Sequence, residues 1–487
     1  MISINKFTLN ENANLKDVIH LLEKNAKGII FVVDNQTKLV GVVTDGDLRR
    51  AFLNGSNNDT VVKKIMNKDF SSLPVESTEQ EIRKTFRSNL KLLPLCNDMG
   101  HIVDLVDPYK SHKIPVLEPF LNGNELKYVK DCIDTNWISS QGSYVKSFEE
   151  SFEKIYKDMF ALTVSNGSVA LHLGIVSLGI GPGDEVIVPN ITFAATINAV
   201  IHAGATPILC EIDKETLCID PKELELLISH KTKAIIPVHL YGQPCDMDAL
   251  SNLANKYSLK IIEDCAEAIG SSWKGNYVGS FGDVSTFSFF GNKTISTGEG
   301  GMILFKNKDI YQYAKTLRDH GMNPNKKYWH DNVGFNYRLT NIQSAIGLAQ
   351  MEQLNLILEK KIYIAKFYRD GLADNENISS LPITNEYSVN SNWLFTIILK
   401  PELDRDYIIL ELLNSGIDCR PIFYPLHEME PYKNFKKSSN LLTSNSVSYS
   451  GISLPSFVNI TDDEMSYIIE KLSIILSASS DQNILPI

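Results

Sequence analysis

Along the first 110 residues the apolar positions keep two rhythms. Val18-Ile19-His20-Leu21-Leu22, following Asn12-Ala13-Asn14-Leu15, has helical spacing, whereas Gly28-Ile29-Ile30-Phe31-Val32-Val33 is a branched apolar run of the kind that builds a buried strand. Asp34-Asn35 marks a turn and Leu39-Val40-Gly41-Val42-Val43 a second strand. Thr44-Asp45-Gly46-Asp47 then supplies oxygen-bearing caps for a helix through Ala51. A weaker copy follows, with a helix starting over 78–82, a strand over 92–96, a turn over 97–100 and a strand over 101–106. The chain therefore opens on an internal repeat, a small α/β module over 1–110.

After a short polar connector over 108–113, containing Lys110, His112 and Lys113, the pattern changes. Helical spacing dominates 122–156, interrupted by a loop at Trp137-Ile138-Ser139-Ser140-Gln141-Gly142. Continuous apolar runs then recur at 161–164, 185–189, 206–211, 234–239 and 260–264, each followed by a helical stretch. Such alternation predicts an α/β fold, a mostly parallel sheet with helices on both faces. We read 114–365 as a large domain and 366–487 as a smaller C-terminal α/β domain. Ligands of such sheets bind outside the carboxyl ends of the strands.

Composition narrows the partners. A chain of 487 residues with 43% hydrophobic and 22% charged side chains is globular and multidomain. Its net charge of −11 gives no general field for nucleic acid or an anionic membrane. Seven scattered cysteines without Cys-x-x-Cys spacing predict reduced thiols and no metal site. No apolar run approaches the ~18–20 residues that span a bilayer, and no basic-then-apolar leader opens the chain, so the expected location is the cytoplasm.

Three segments carry candidate chemistry. Ser165-Asn166-Gly167-Ser168 lies between a strand and the helix pattern from Val169, so backbone N–H groups and a hydroxyl converge at a helix amino terminus, an anion cradle or else an ordinary cap. Ile261-Ile262-Glu263-Asp264 puts a carboxylate at a strand's carboxyl end, where it either holds a proton on a ring nitrogen or caps a helix. In Ser288-Phe289-Phe290-Gly291-Asn292-Lys293 and the glycine-rich run ending at Gly301, a lysine sits among aromatic and small residues. An amine so desolvated can act as a nucleophile.

These segments, with Gly181-Pro182-Gly183-Asp184, Ile191-Thr192-Phe193-Ala194-Ala195-Thr196, Val238-His239-Leu240-Tyr241-Gly242, Gly334-Phe335-Asn336-Tyr337-Arg338 and Gly416-Ile417-Asp418-Cys419-Arg420-Pro421, resemble the DegT-type sugar aminotransferases, pyridoxal 5'-phosphate enzymes of fold type I. The resemblance covers about 114–476. It implies that Lys293 is the Schiff-base lysine and Asp264 the partner of the pyridine nitrogen. Gly167, Ser168 and Ser288 would hold the cofactor phosphate, with Asn336 reaching it from a neighbouring subunit of a homodimer or higher homo-oligomer. Phe193 would stack on the ring and Glu267 lie by its hydroxyl, where many relatives have glutamine. Arg338 is the candidate for the glutamate carboxylate, a structural ion pair being the alternative.

The segments around Asp134, Glu263, Ser288 and Tyr328-Trp329-His330-Asp331 carry the resemblance toward enzymes that aminate GDP-4-keto-6-deoxymannose for surface polysaccharide, with Trp329 and His330 near the nucleotide sugar. A UDP-linked 4-keto-6-deoxy sugar is the alternative substrate, and Trp329 is otherwise a packing aromatic. Sugar dehydratases on this scaffold carry histidine in place of the lysine, which Lys293 argues against. A decayed sensor is a further alternative. The amino-terminal repeat resembles a CBS pair, and Gly41-Val42-Val43-Thr44-Asp45-Gly46-Asp47 matches the pattern that addresses the ribose and phosphate of adenine nucleotides. The second copy reads Asp104-Leu105-Val106-Asp107, without the glycine and the hydroxyl, so packing or an oligomer contact is the alternative to nucleotide binding.

Overall fold

The repeat reappears as strand pairing in the computed structural model. Thr8–Asn10 runs parallel to Ile29–Val33, which pairs antiparallel with Leu39–Thr44. In the second copy Leu73–Pro74 runs parallel to Leu93–Cys96, which pairs antiparallel with Ile102–Val106. The structure describes residues 4–25, 27–77, 81–82, 85, 91–106, 114–383 and 386–482. The helix start at 78–80, Asp107 and the connector lie outside them. Thr44 begins the helix Asp45–Leu53 by bonding the Asp47 N–H while the Asp47 carboxylate bonds back to Thr44, a reciprocal cap that satisfies two otherwise orphaned donors. Leu15, Val18 and Leu22 of the helix Leu15–Asn25 bury against Ile30, Val32 and Val43.

The chain divides into two units, 1–114 with 414–417 and 115–413 with 418–487. The second is built on a seven-stranded sheet in the spatial order Phe160–Val164, Gly301–Phe305, Val284–Ser288, Lys260–Asp264, Thr232–Ile235, Glu185–Pro189, Thr206–Cys210. Its two faces show in the alternation of side chains: Ile187 and Ile261 join one buried cluster, while Val186, Val188 and Ile262 join another. Both faces are covered, which is why these strands read as unbroken apolar runs. The helix Gly167–Ser177 buries Ala170, Leu171, Leu173 and Ile175 and packs in the second of these clusters.

Two features differ from the sequence reading. Gly301–Phe305 is a strand, antiparallel to both neighbours; a continuous apolar run carries no sign of direction. The strand expected over 234–239 ends at Ile235, because Pro237 has no N–H to donate to a ladder. Among the described residues no helix is long and apolar enough to cross a membrane.

A smaller antiparallel sheet, Ile378–Ser380, Phe395–Leu399, Gly451–Leu454 and Arg420–Pro421, lies further along the chain. It is tied to the helix Leu354–Leu372 by Lys361, whose buried Nζ donates to the carbonyl of Trp393 at 2.9 Å and to that of Ser456. Two acceptors suit a neutral amine, which has two N–H groups. Burial pushes the proton affinity of Lys361 down from the ordinary 10.5 to about 7. The unfolded chain therefore binds more protons between those values, and stability rises with pH across that window. Relative to Lys361→Met, the wild-type unfolding free energy should climb about 1.4 kcal/mol more steeply per pH unit between about pH 7.5 and 9. Chemical denaturation at several pH values measures this, and parallel slopes would show that the buried amine keeps its proton.

Candidate active site

The carboxyl ends of three neighbouring strands set the site. Asp264, the last residue of Lys260–Asp264, is buried; its Oδ2 accepts from the Thr196 hydroxyl at 2.9 Å and its Oδ1 from the Ala266 N–H at 3.1 Å. Burial pushes its carboxyl above the ordinary carboxylate range, although Thr196, Ala266 and the charge on Lys293 pull the other way. No ion pair reaches Asp264 among the described residues. Its neighbour Glu263 is different, accepting from the N–H groups of Gly279, Phe281 and Gly282, the Ser285 hydroxyl and His239 Nε2. His239 Nδ1 accepts from the Cys245 N–H, so its ring proton sits on Nε2 and points at Glu263. His239, Glu263 and Cys265 lie close enough to hold a metal ion. The histidine nitrogens and the glutamate oxygens are engaged as just described, so the group reads as a structural bracket.

Lys293 faces this carboxyl end. Its Nζ lies 3.3 Å from Glu267 Oε1 and 3.8 Å from the centroid of the Trp393 ring. Glu267 is buried, its carboxyl raised by that burial, and its Oε2 accepts from the Tyr241 N–H at 3.0 Å. Tyr241 holds a left-handed φ of 54° and stacks on Trp393, the centroids 6.1 Å apart at 14°.

On the next strands, Gly167 and Ser288 meet. A Cβ at Gly167 would lie 2.8 Å from the Ser288 Cβ, so a side chain at 167 would crowd the serine. Gly167 is the first residue of its helix, with Asn166 as cap, and Ser168 beside it is exposed. Unpaired N–H groups at a helix start, with two serines, make an anion cradle. Phe193 is 60% exposed, its ring 5.9 Å from Phe423.

The remaining predicted residues gather elsewhere. Arg338 donates through Nε to Asn336 Oδ1 at 3.0 Å and through Nη1 to Asp319 at 2.7 Å, and its Nη2 meets His320 Nε2 at 3.2 Å. His330 Nδ1 donates to the His320 carbonyl at 2.9 Å, and Trp329 Nε1 donates to Asp331 at 3.0 Å. Asn336, Trp329 and His330 are exposed. Among the described residues no hydrogen bond joins Asn336, Arg338, Trp329 or His330 to Lys293, Asp264, Glu267 or Ser288, although the Tyr337 carbonyl accepts from the Ser165 N–H at 2.8 Å.

A buried carboxylate with raised proton affinity, an amine on the same end of the sheet and an anion cradle at a helix start fit pyridoxal phosphate: Asp264 could face a protonated ring nitrogen, Lys293 an aldehyde and the helix start a phosphate. The fold and site are those of a pyridoxal phosphate-dependent aminotransferase of fold type I. The profile of the DegT/DnrJ/EryC1/StrS aminotransferase family matches residues 119–473, and the chain belongs to that family. It is 44% identical to the GDP-perosamine synthase of Escherichia coli O157:H7 over 363 residues, 74% of this chain and 98% of that protein. It is 46% identical to the GDP-perosamine synthase of Vibrio cholerae over 358 residues, 72% and 96% of the two chains. The putative sugar aminotransferase Spr1654 from Streptococcus pneumoniae, in its PLP-form, superposes with a TM-score of 0.72 at 29% identity, covering 76% of this chain and all of that one. A CBS-domain profile matches residues 2–54.

Sequence reasoning gave no role to Thr196, Tyr241 or Trp393. Thr196 stands three positions after Phe193, a spacing that places both at the start of the helix Ala195–His202. Trp393 stands about a hundred residues from Lys293 with no local signal. Thr196→Val keeps the shape and deletes the donor to Asp264; hydrogen bonds to charged groups contribute about 1.5–3 kcal/mol, so pyridoxal phosphate affinity should fall roughly ten- to hundredfold. Fluorescence titration of the apoprotein measures it, and unchanged affinity would show that this bond leaves Asp264 indifferent.

Proposed function

We propose that this protein transfers the amino group of glutamate to carbon 4 of GDP-4-keto-6-deoxymannose, giving GDP-perosamine. The observation that carries the chemistry is the Lys293 amine beside the buried Glu267 carboxylate, on the same sheet end as Asp264. The substrate rests on the two GDP-perosamine synthases, which match nearly end to end.

When bound, pyridoxal phosphate supplies an electron sink for the bonding pair released at the substrate carbon. Asp264 would hold the proton on the ring nitrogen, its raised affinity for a proton making it a strong acceptor of that N–H. Gly167, Ser168 and Ser288 would receive the phosphate, and Phe193 would cover the ring. Glu267 would lie by the ring hydroxyl, and it stands 3.3 Å from the Lys293 amine. Lys293 Nζ would move the proton at the substrate carbon, and its delivery to one face of the sugar would fix the new stereocentre.

The exposed cluster around Arg338 supports a shared site. Arg338 Nε donates to Asn336 Oδ1, which leaves the amide N–H groups of Asn336 to donate to an anion. One N–H on each Arg338 Nη remains for the carboxylate of glutamate. The assembly proposed is a homodimer at least, working in the cytoplasm. In the amino-terminal unit Thr44 Oγ1 lies 2.6 Å from Asp47 Oδ2, and Arg50 pairs with Asp47. The two oxygens that would address an adenine nucleotide are thus bonded to each other, which supports packing or assembly as the role of this unit over nucleotide binding.

Two experiments test these readings. Both keto sugars, GDP-linked and UDP-linked, are generated in situ by their dehydratases and offered with glutamate, product mass being followed over time. Conversion of the GDP sugar is expected, and efficient conversion of the UDP sugar alone would replace the substrate. Lys293→Ala and Asn336→Ala should each be inactive yet recover part of the activity when mixed and allowed to exchange subunits. Proven exchange without recovery would count against a site shared between copies.

A further inference from the structure

We propose that the face of Trp393 is the docking place of the Lys293 ammonium in the half of the cycle when that amine is not bonded to the cofactor, making Trp393 a positioning residue for the reaction. The inference rests on the reading of Lys293 as the cofactor-bearing lysine. Borohydride reduction of the wild-type holoenzyme followed by peptide mapping tests that reading separately.

Three observations support it. The Nζ–centroid distance of 3.8 Å is well inside the ~6 Å range of cation–π attraction. The ring is 4% exposed, so little water screens that attraction. The ring is also fixed relative to the lysine: Trp393 Nε1 donates to the carbonyl of Asn292, the residue next to Lys293, at 2.7 Å. Indole and lysine backbone are therefore held as one piece. The backbone of Trp393 is held as well, by the Lys361 amine on its carbonyl at 2.9 Å, and its ring lies against Tyr241.

The two contacts of Nζ differ in kind. Glu267 attracts the cation but also competes for its proton, and the charge on Lys293 in turn lowers the affinity of Glu267 for one. An aromatic face attracts the ammonium without offering a base. Trp393 therefore gives the ammonium a second, non-basic partner that is fixed to the lysine's own backbone and keeps the amine close to the site.

The test compares Trp393→Phe, which keeps a ring face and loses the bond to Asn292, with Trp393→Leu, which loses both. The readout is the rate at which trinitrobenzenesulfonate labels Lys293 in the full-length apoenzyme at pH 8, counted by peptide mass. A charged amine is unreactive, so labelling should quicken about tenfold in Trp393→Leu and about threefold in Trp393→Phe, as the cation's attraction to the face is lost or weakened. In the loaded enzyme kcat should fall in the same order while KM for glutamate stays within twofold. Leu and Phe variants that label equally fast would mean that the bond to Asn292 matters and the face does not. A folded Leu variant labelled at the wild-type rate would also overturn the proposal. Should the Leu variant fail to fold, wild-type labelling by Trp393→Phe would overturn it alone.

Discussion

A carboxylate taken out of water without a cation beside it is the constraint around which this site is organised. Asp264 is that group, 4% exposed and bonded by one hydroxyl and one N–H. Such a group is costly unless it finds a proton or a positive partner. Glu263, one residue earlier on the opposite face of the strand, is fully buried too. Burial alone would raise its carboxyl, but bonds from His239, Gly279 and Gly282 outweigh that and hold it below the ordinary range. Saturated, it anchors the turn before Val284–Ser288 and needs nothing more. The contrast separates two adjacent acids: one is saturated within the fold, the other is left open to a further positive partner.

The same logic explains which parts were legible in the sequence. Strands buried on both faces write themselves as apolar runs, and the polar residues that follow them stand out against those runs, so the segments holding Gly167, Asp264 and Lys293 are visible one at a time. Contacts that close over long separations leave no such trace. Trp393 reaches Asn292 and Lys293 only because the helix Leu354–Leu372 and the small sheet bring it there. The antiparallel Gly301–Phe305 was hidden for another reason: direction is a property of the connection and not of the strand's own residues. Its placement between Phe160–Val164 and Val284–Ser288 sets the Gly167 cradle two strands from Asp264's neighbour, and Gly301 itself is required there, since a Cβ would come 2.7 Å from the Asn166 carbonyl oxygen.

The amino-terminal unit shows how a local rule can displace a motif's usual meaning. Thr44 and Asp47 stand three apart, which is the spacing of a nucleotide-addressing pair in the CBS pattern and also that of a reciprocal helix cap. In this chain the cap is formed, with Arg50 added on Asp47 and the carboxyl held below its ordinary value by those bonds despite partial burial. A nucleotide would have to displace bonds that the helix start requires. The second copy, lacking the hydroxyl and the glycine, keeps the same strand pairing, which argues that strand packing is what the duplication preserves.

Charge placement around Lys293 carries the argument one step further. Asp264 raises the affinity of Glu267 for a proton, and the charge on Lys293 lowers that of both acids, with a smaller pull of His239 on Asp264. One positive group thus steadies two buried acids. If that amine moves away, both acids lose its stabilisation and each gains affinity for a proton. An aromatic face that tethers the amine within 3.8 Å limits how far it travels and so how large that swing becomes. The geometry couples the position of one amine to the protonation of two carboxyls across the cofactor site, a coupling that a lysine on a freely moving loop would lack.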